Sequence, residues 1–449
     1  MLGLVVPLAL LVGDGRRDLL AEGSARRFPS ILLVTVDTLR ADRLGSYGYR
    51  RPTSPEIDRL LAEGVRFTQA RTVEPLTGPA SISLFTSLPP HEHGATRNSL
   101  AMRPGLSSIT RLLGQGGYRT AAFVGNWTLR DRFTGLAEHF DAYREIFSRK
   151  RWLGLFNSEA TGADLTTAAT SWLRELRARE TKRPFFLWVH YVEPHAPYRL
   201  QKEMAPRLGV PVGDAASRSD RYDTEVAFVD REVGRLVSAV RAIEAGRELA
   251  VVFTADHGES LGEHGYWGHG RNVLDPNLRI PLGVVWPGVV SAGRTIEAPA
   301  LILDVAPTLV GLLGLAPVEV FRGFDWSPVL RGEAPPPEDR LVGFQAHRGA
   351  VTAVSGEQNA RENGLLEVAI LSGRTKEVLR LETRTRRLFD LGHDPGELQG
   401  RTTSPSRPSP ELAAWLAEVR QGLRKASDLP AAALDAASLE QLKALGYVD

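Results

Sequence analysis

From residue 28 onward, short unbroken apolar runs alternate with longer stretches whose apolar positions recur at helical spacing. The runs Ile31–Val36, Thr120–Val124, Pro184–Val189, Leu249–Thr254 and Ile280–Trp286 each read as a strand buried on both faces. Between them the pattern predicts helices over Pro55–Glu63, Ala80–Thr86, Leu106–Leu113, Asp164–Arg179, Asp223–Glu244 and Ile302–Leu313. The stripe Val226, Val229, Val233, Leu236 and Val240 makes the 223–244 helix the clearest of these. Such alternation predicts an α/β domain, a mostly parallel sheet sandwiched by helices.

After about residue 335 the texture changes. Glu333–Glu338 is proline-rich, and Leu341–Gln345, Leu366–Leu371, Glu377–Leu381 and Arg386–Leu391 suit a small antiparallel sheet. Residues 401–410, rich in Ser, Thr and Pro, read as a linker to a helix at Glu411–Lys425. The expected division is a 1–28 terminal segment, a 29–335 α/β domain, a 336–400 C-terminal α+β subdomain, and a 401–449 linker and helical tail.

The terminal segment is apolar from Met1 to Gly13. That is short of the roughly 20 residues a membrane span needs, and has the length of an export signal's apolar core. No basic residue precedes it; Arg16-Arg17 is the first basic pair. An export signal or anchor, hence a periplasmic or extracytoplasmic location, is one expectation, and a misassigned start or loose tail is the other.

Composition narrows the chemistry. Lys and Arg total 55 against 53 Asp and Glu, a formal +2 spread along the chain. This argues against nucleic acid, which is bound by a concentrated cationic surface. There are no cysteines, so thiolate metal sites and a cysteine nucleophile are excluded.

Three places gather reactive side chains at the ends of predicted elements, where open α/β sheets bind ligands. Asp37 follows the first strand, Asp256-His257-Gly258 follows Leu249–Thr254, and Thr77-Gly78-Pro79 opens a helix whose first turn could face an anion. Phosphoryl transfer to an enzyme alcohol needs such a hydroxyl beside metal-binding carboxylates and an imidazole. Singly, each also fits a blander role: Asp37 as a turn former, Thr77 as a helix cap, His257 as a satisfied turn residue.

Together the motifs resemble the sulfatase family of the alkaline-phosphatase superfamily. "ILLVTVDTLRADRLGSYG" is similar to its first strand and metal-binding aspartate, and "TGPASISLFTSLPPHEHG" to its nucleophile motif. "HYVEPHAPY", "FTADHGESLGEHGYWGHG", "RIPLGVVWPG", "DVAPTLVGLLGL" and "RLFDLGHDPGEL" follow in family order, so the resemblance spans roughly residues 30–400.

The departures share one direction. The family's formylglycine, made from Cys or Ser, is here Thr77; the motif arginine is Ser81; a Gly-Lys-Trp lysine is Asn126; an Asp-Asn pair is Asp256-His257. A formylglycine hydrate releases sulfate by collapsing to the aldehyde, an exit that threonine lacks, whereas a phosphothreonine can be hydrolysed by in-line attack. Histidine for asparagine moves the ligand set from Ca²⁺ toward Zn²⁺ or Mn²⁺.

The resemblance then implies one divalent metal on Asp37, Asp256, His257 and the Thr77 oxygen, with Thr77 the nucleophile. His195 and His269 would contact the substrate or act as general acid, and Asn126 would line the substrate pocket. A second metal is admitted near these histidines, with Glu193 the nearest carboxylate. Arg40 and Asp42 are expected to brace the metal loop, Glu259 and Glu263 to cap or bridge it, and His91, His93, His190 and His264 to be structural. Phe133–Asn157 and Gln201–Arg221 are expected to form the cleft rim. The expected partner is a small anionic ester, with any membrane contact through the N-terminal segment alone. The function implied is hydrolysis of a phosphodiester or phosphonate-type ester. The alternatives are sulfuric ester hydrolysis, phosphoryl transfer, and non-catalytic anion binding.

Overall fold

The computed structural model describes residues 28–151, 156–180, 182–349, 364–403 and 407–426. The apolar N-terminal segment, and the tail beyond Ala426, lie outside the described residues. Eight strands form the main sheet: β1 (Ser30–Val36), β2 (Val65–Phe67), β3 (Arg119–Val124), β4 (Ala142–Glu145), β5 (Phe185–Tyr191), β6 (Leu249–Ala255), β7 (Leu282–Val285) and β8 (Arg294–Ile296). Their order is β8-β2-β7-β6-β1-β5-β3-β4. Only β7 runs antiparallel to its neighbours β6 and β2; the other pairings are parallel. The predicted α/β class is the observed one.

Every residue of β1 is buried, as its unbroken apolar run requires. Val36 is level with Tyr191 of β5 and Ala255 of β6, so three strands end together. That shared edge positions the site. The strands the pattern did not predict, β2, β4 and β8, span three or four residues, too few for a period to register.

Helices α1 (Pro55–Ala62), α4 (Gly162–Arg179) and α5 (Arg218–Ile243) pack together in one layer. Helices α2 (Thr77–Thr86), α3 (Ile109–Gln115) and α6 (Val305–Leu312) form another. Helices α4 and α5 start earlier than their apolar stripes suggest because capping boxes fix the starts. Thr161 pairs with Asp164, and Ser217 with Asp220.

A five-stranded antiparallel sheet follows: β9 (Leu341–His347), β10 (Leu365–Ser372), β11 (Thr375–Arg380), β12 (Thr385–Asp390) and β13 (Arg401–Thr403). Strand β13 comes from residues read as linker; pairing with β12 overrides its polar composition. Helix α7 (Pro410–Ala426) packs on β10.

The expected rim is corrected in part. Phe140 and Tyr143 point inward, their rings 6.0 and 6.5 Å from Trp188, and Phe133 is buried against Trp127. Met204, Leu208, Val210 and Ala216, from the other expected rim segment, form a satellite cluster with Phe228 of α5.

A buried ionic network ties the small sheet to the main domain. Arg71 holds Asp275 at 2.5 Å, and Lys376 of β11 reaches Asp275 at 2.8 Å and Glu397 at 2.7 Å. All four residues are buried. Asp275→Asn leaves two buried cations facing one carboxylate. We expect a loss of about 3 kcal/mol or more, read as a lower denaturation midpoint at unchanged m-value.

Candidate active site

At the common ends of β1 and β6, Asp37 and Asp256 are carried to the same point. Asp37 N–H donates to Tyr191 O at 2.9 Å, continuing the β1–β5 pairing by one residue. Thr38 then turns into the left-handed region at φ 55°, which lets its N–H donate to Asp256 Oδ1 at 3.1 Å. Tyr222 of α5 straps this turn, donating to Thr38 O and accepting from Arg40 N–H. Beyond β6, His257 N–H donates to Asp256 Oδ1 at 2.7 Å. Gly258 is seated where a Cβ would stand 2.2 Å from Pro276 O, so any side chain there would push this loop out of place.

Thr77 is the first residue of α2 and fully buried. Its Oγ1 lies 3.2 Å from His257 Nε2. His257 Nδ1 donates to Gly258 O at 2.9 Å, leaving Nε2 as the lone-pair nitrogen. Nε2 lies 3.8 Å from Asp37 Oδ1 and 3.5 Å from Asp256 Oδ2, and both of those oxygens are buried without a hydrogen-bond partner. Orphaned oxygens beside an imidazole lone pair form an acceptor-only cluster, which a cation fits and a neutral ligand does not.

The electrostatics agree. Burial raises the Asp37 carboxyl. Burial, and then Asp37 beside it, push Asp256 up to about 6. Burial alone would lower His257, yet the two carboxylates outweigh it and the group is raised.

Asn126 departs from its expected place in the substrate pocket. Its amide nitrogen donates to Asp37 Oδ2, while its Oδ1 accepts from Thr128 N and Oγ1 at 2.9 Å. It orients Asp37. The anion-facing first turn of α2 is also narrower than expected. Pro79 has no N–H, and Gly78 N–H is taken by Asn98 Oδ1 at 2.9 Å. Asn98 is wholly buried, and no local pattern around it marks it in the sequence.

His195 and His269 do gather here. Their rings are 5.2 Å apart, and His269 stands 4.4 Å from His257. Burial holds His269 well below its ordinary value, so it is neutral and ill suited to be a general acid. Its Nδ1 lies 3.0 Å from Glu259 Oε1. Glu259 is therefore not a loop bridge; it is fully buried, and burial lifts it to about 7. Glu193 is also reassigned. Its carboxylate accepts from Gly162 N–H at the start of α4, and among the described residues no metal-binding group joins it to His195 and His269. Arg40 braces the loop as expected, through Asp42, Glu263 and Glu259 O.

His190 was expected in the core and is there, but at the floor of the site. Trp188 Nε1–H donates to Thr35 Oγ1, whose hydroxyl faces His190 Nδ1 at 2.8 Å. The ring's proton then sits on Nε2, 3.7 Å from Asp37 Oδ2. Before α2, Glu74 forms a buried pair with His347 of β9 at 2.8 Å. Neither position carried a sequence signal.

The sulfatase family model matches residues 29–315. The chain belongs to the sulfatase family. Among its relatives, the uncharacterized sulfatase YidJ of Escherichia coli is 26% identical over 66% of this chain and 70% of its own. The canine N-acetylgalactosamine-6-sulfatase is 27% identical over 84% and 82%. One solved structure, bound to its substrate D-glucosamine-2-N,6-O-disulfate, superposes with a TM-score of 0.68 at 20% identity, covering 90% of this chain and 99% of that one. Another, the phosphonate monoester hydrolase of Agrobacterium radiobacter, gives 0.65 at 22%, covering 89% and 96%. The chain is thus a sulfatase-family hydrolase, in a family whose enzymes bind a divalent metal.

Metal capture at this site requires both carboxylates ionised. Asp256 is pushed up to about 6 without metal and His257, which must be neutral to ligate, is raised above its ordinary value, so affinity should fall as pH drops through about 7 and about 6. Competition titration of Zn²⁺ or Mn²⁺ from about pH 5 to about pH 8 checks this. An affinity that rises as pH falls would contradict the assignment.

Proposed function

We propose that this sulfatase-family chain is a metal-dependent hydrolase of a phosphodiester or phosphonate monoester, working through a phosphothreonine at Thr77. The observation that carries the reading is Thr77 itself. It is an unoxidised secondary alcohol whose Oγ1 lies 3.2 Å from His257 Nε2, where Asp37 and Asp256 converge.

A divalent cation held by Asp37, Asp256 and His257 would supply Lewis-acid activation of the Thr77 hydroxyl and the ester. Thr77 Oγ, its proton given up to solvent, attacks phosphorus as the bond to the leaving oxygen breaks. His195, whose Nδ1 donates to Ala196 O, gives the leaving oxygen a proton from Nε2. Water then attacks the phosphothreonine. Neutral His269, steadied by Glu259, accepts the water's proton and passes it to Thr77 Oγ as the phosphorus–Oγ bond breaks, which releases the free alcohol, and His195 regains its proton from solvent. Asn126 keeps Asp37 in place throughout.

Two features favour phosphorus over sulfur. Threonine has no hydrate whose collapse could expel sulfate, so a threonine sulfate would persist. The positions of the family's motif arginine and lysine hold Ser81 and Asn126, which suits a monoanionic ester better than a dianion. The fold itself accommodates both chemistries. Sulfuric ester hydrolysis is the second reading, favoured by the names of the relatives at 26–27% identity.

A matched series with Zn²⁺ or Mn²⁺ decides between them: bis-p-nitrophenyl phosphate, a phenylphosphonate ester, p-nitrophenyl phosphate and p-nitrophenyl sulfate. Diester or phosphonate turnover is expected, lost by about 10³-fold or more in Thr77→Ala. Turnover of sulfate alone would sink the phosphoryl reading. Glu259→Gln should lower kcat by about 10- to 100-fold with bound metal unchanged; an unchanged kcat would remove Glu259 from the machinery.

A further inference from the structure

The residues after α2 carry a second group of metal-binding type, away from the site above. One donor atom each from His91, Glu92 and Glu418 lies within 4.8 Å of the others. His91 is 1% exposed, and its Nε2 is buried with no hydrogen-bond partner. Its Nδ1 is 2.7 Å from Gln345 Oε1, an acceptor. With the amide so oriented, Nδ1 must hold the proton and donate it. Nε2 therefore presents a lone pair to Glu418 Oε1, 3.8 Å away. Nε2 and Glu418 Oε1 are thus placed to share one cation, a proton or a metal ion.

The backbone is shaped for this approach. Gly422 sits inside α7, where glycine costs about 1 kcal/mol relative to alanine. A Cβ there would stand 2.6 Å from His91 O and 2.7 Å from His91 Cδ2. Only glycine lets α7 lie directly on His91. The Trp415 ring packs edge-on to the imidazole at 5.2 Å, while Leu412, Val419 and Leu423 anchor the rest of the helix.

From this geometry we infer that His91 Nε2, Glu92 and Glu418 form a transition-metal site that clips α7 onto the segment following the nucleophile helix. The site opens on a cleft of about 340 Å³ that is also lined by Arg103, Arg322 and Lys425. Three cations nearby disfavour a hard ion held by charge alone. An imidazole nitrogen with two carboxylates suits Zn²⁺ or Co²⁺, held by coordination, with water as a fourth ligand. Tetrahedral zinc places its donors about 3.4 Å apart, so the two glutamates must draw in by about an ångström. Glu418 is 55% exposed and free to do so, and Glu92 can keep one oxygen on Arg322, now 3.0 Å away.

The site is independent of the proposed reaction. The test loads metal-free protein with Co²⁺ and Zn²⁺ and reads stoichiometry, the visible Co²⁺ spectrum and Tm. Asp37→Ala, which disables the catalytic cluster, should still bind one equivalent with a tetrahedral Co²⁺ spectrum and a raised Tm. Adding Glu418→Gln, at an exposed position that folding tolerates, should weaken that equivalent at least tenfold and abolish the Tm rise. No binding by Asp37→Ala, or binding that Glu418→Gln leaves unchanged, overturns the inference.

Discussion

Two carboxylates that share a single imidazole lie at the centre of this fold. Asp37 and Asp256 end adjacent parallel strands, buried, each with an oxygen that nothing among the described residues satisfies by a hydrogen bond. Burying one unpaired carboxylate is costly, and burying two within reach of one imidazole compounds it. The chain lessens the cost by raising both groups and by aiming Asn126 at one and two backbone N–H groups at the other. It does not remove it. A bound cation would complete such an arrangement, and the neighbouring scaffold holds it against relaxation.

That scaffold explains otherwise scattered features. The left-handed Thr38 turn, the Tyr222 strap from α5 and the Gly258 contact with Pro276 each stop the carboxylates from separating. Arg40, buried against Asp42 and Glu263, closes the loop from outside. On the opposite side the small sheet is docked through Lys376 and through the Glu74–His347 pair just ahead of Thr77. Thr77 is thus fixed from both domains, and its geometry depends on their interface as much as on α2.

The sequence made legible whatever depended on long periods or on motif order. Strands β1, β5 and β6 showed as apolar runs, and they carry Asp37, His190 and Asp256. Thr77 and His257 were found because their motifs sit at the ends of such elements. What stayed hidden was whatever depends on a side chain's direction. Asn126 looked like a pocket residue because a lysine stands there in the family, yet its amide is spent on Asp37. His190 read as core because it is core; only the register with Thr35 turns its Nε2 toward the carboxylate. Glu259 read as a loop residue, although the loop folds inward and buries it beside His269. Asn98 and the Glu74–His347 pair join positions far apart in the chain, and no local pattern encodes such contacts. Short strands escaped for a simpler reason, having too few residues to show alternation.

On the proposed function, Thr77, Ser81, Asn126 and His257 belong together physically. With asparagine at position 126, no lysine contributes charge to the pocket, and the amide instead stabilises the ionised form of Asp37. With histidine at 257, the cluster gains a nitrogen donor whose tautomer is fixed by Gly258 O, which favours a borderline metal over Ca²⁺. A stronger Lewis acid is what an unmodified alcohol needs, because threonine lacks the acidity of an aldehyde hydrate and must be activated where it stands. The lost cations and the gained imidazole are therefore two halves of one adjustment. On the proposed function, the site would depend less on fixed positive charge around the substrate and more on a metal and the alcohol it activates.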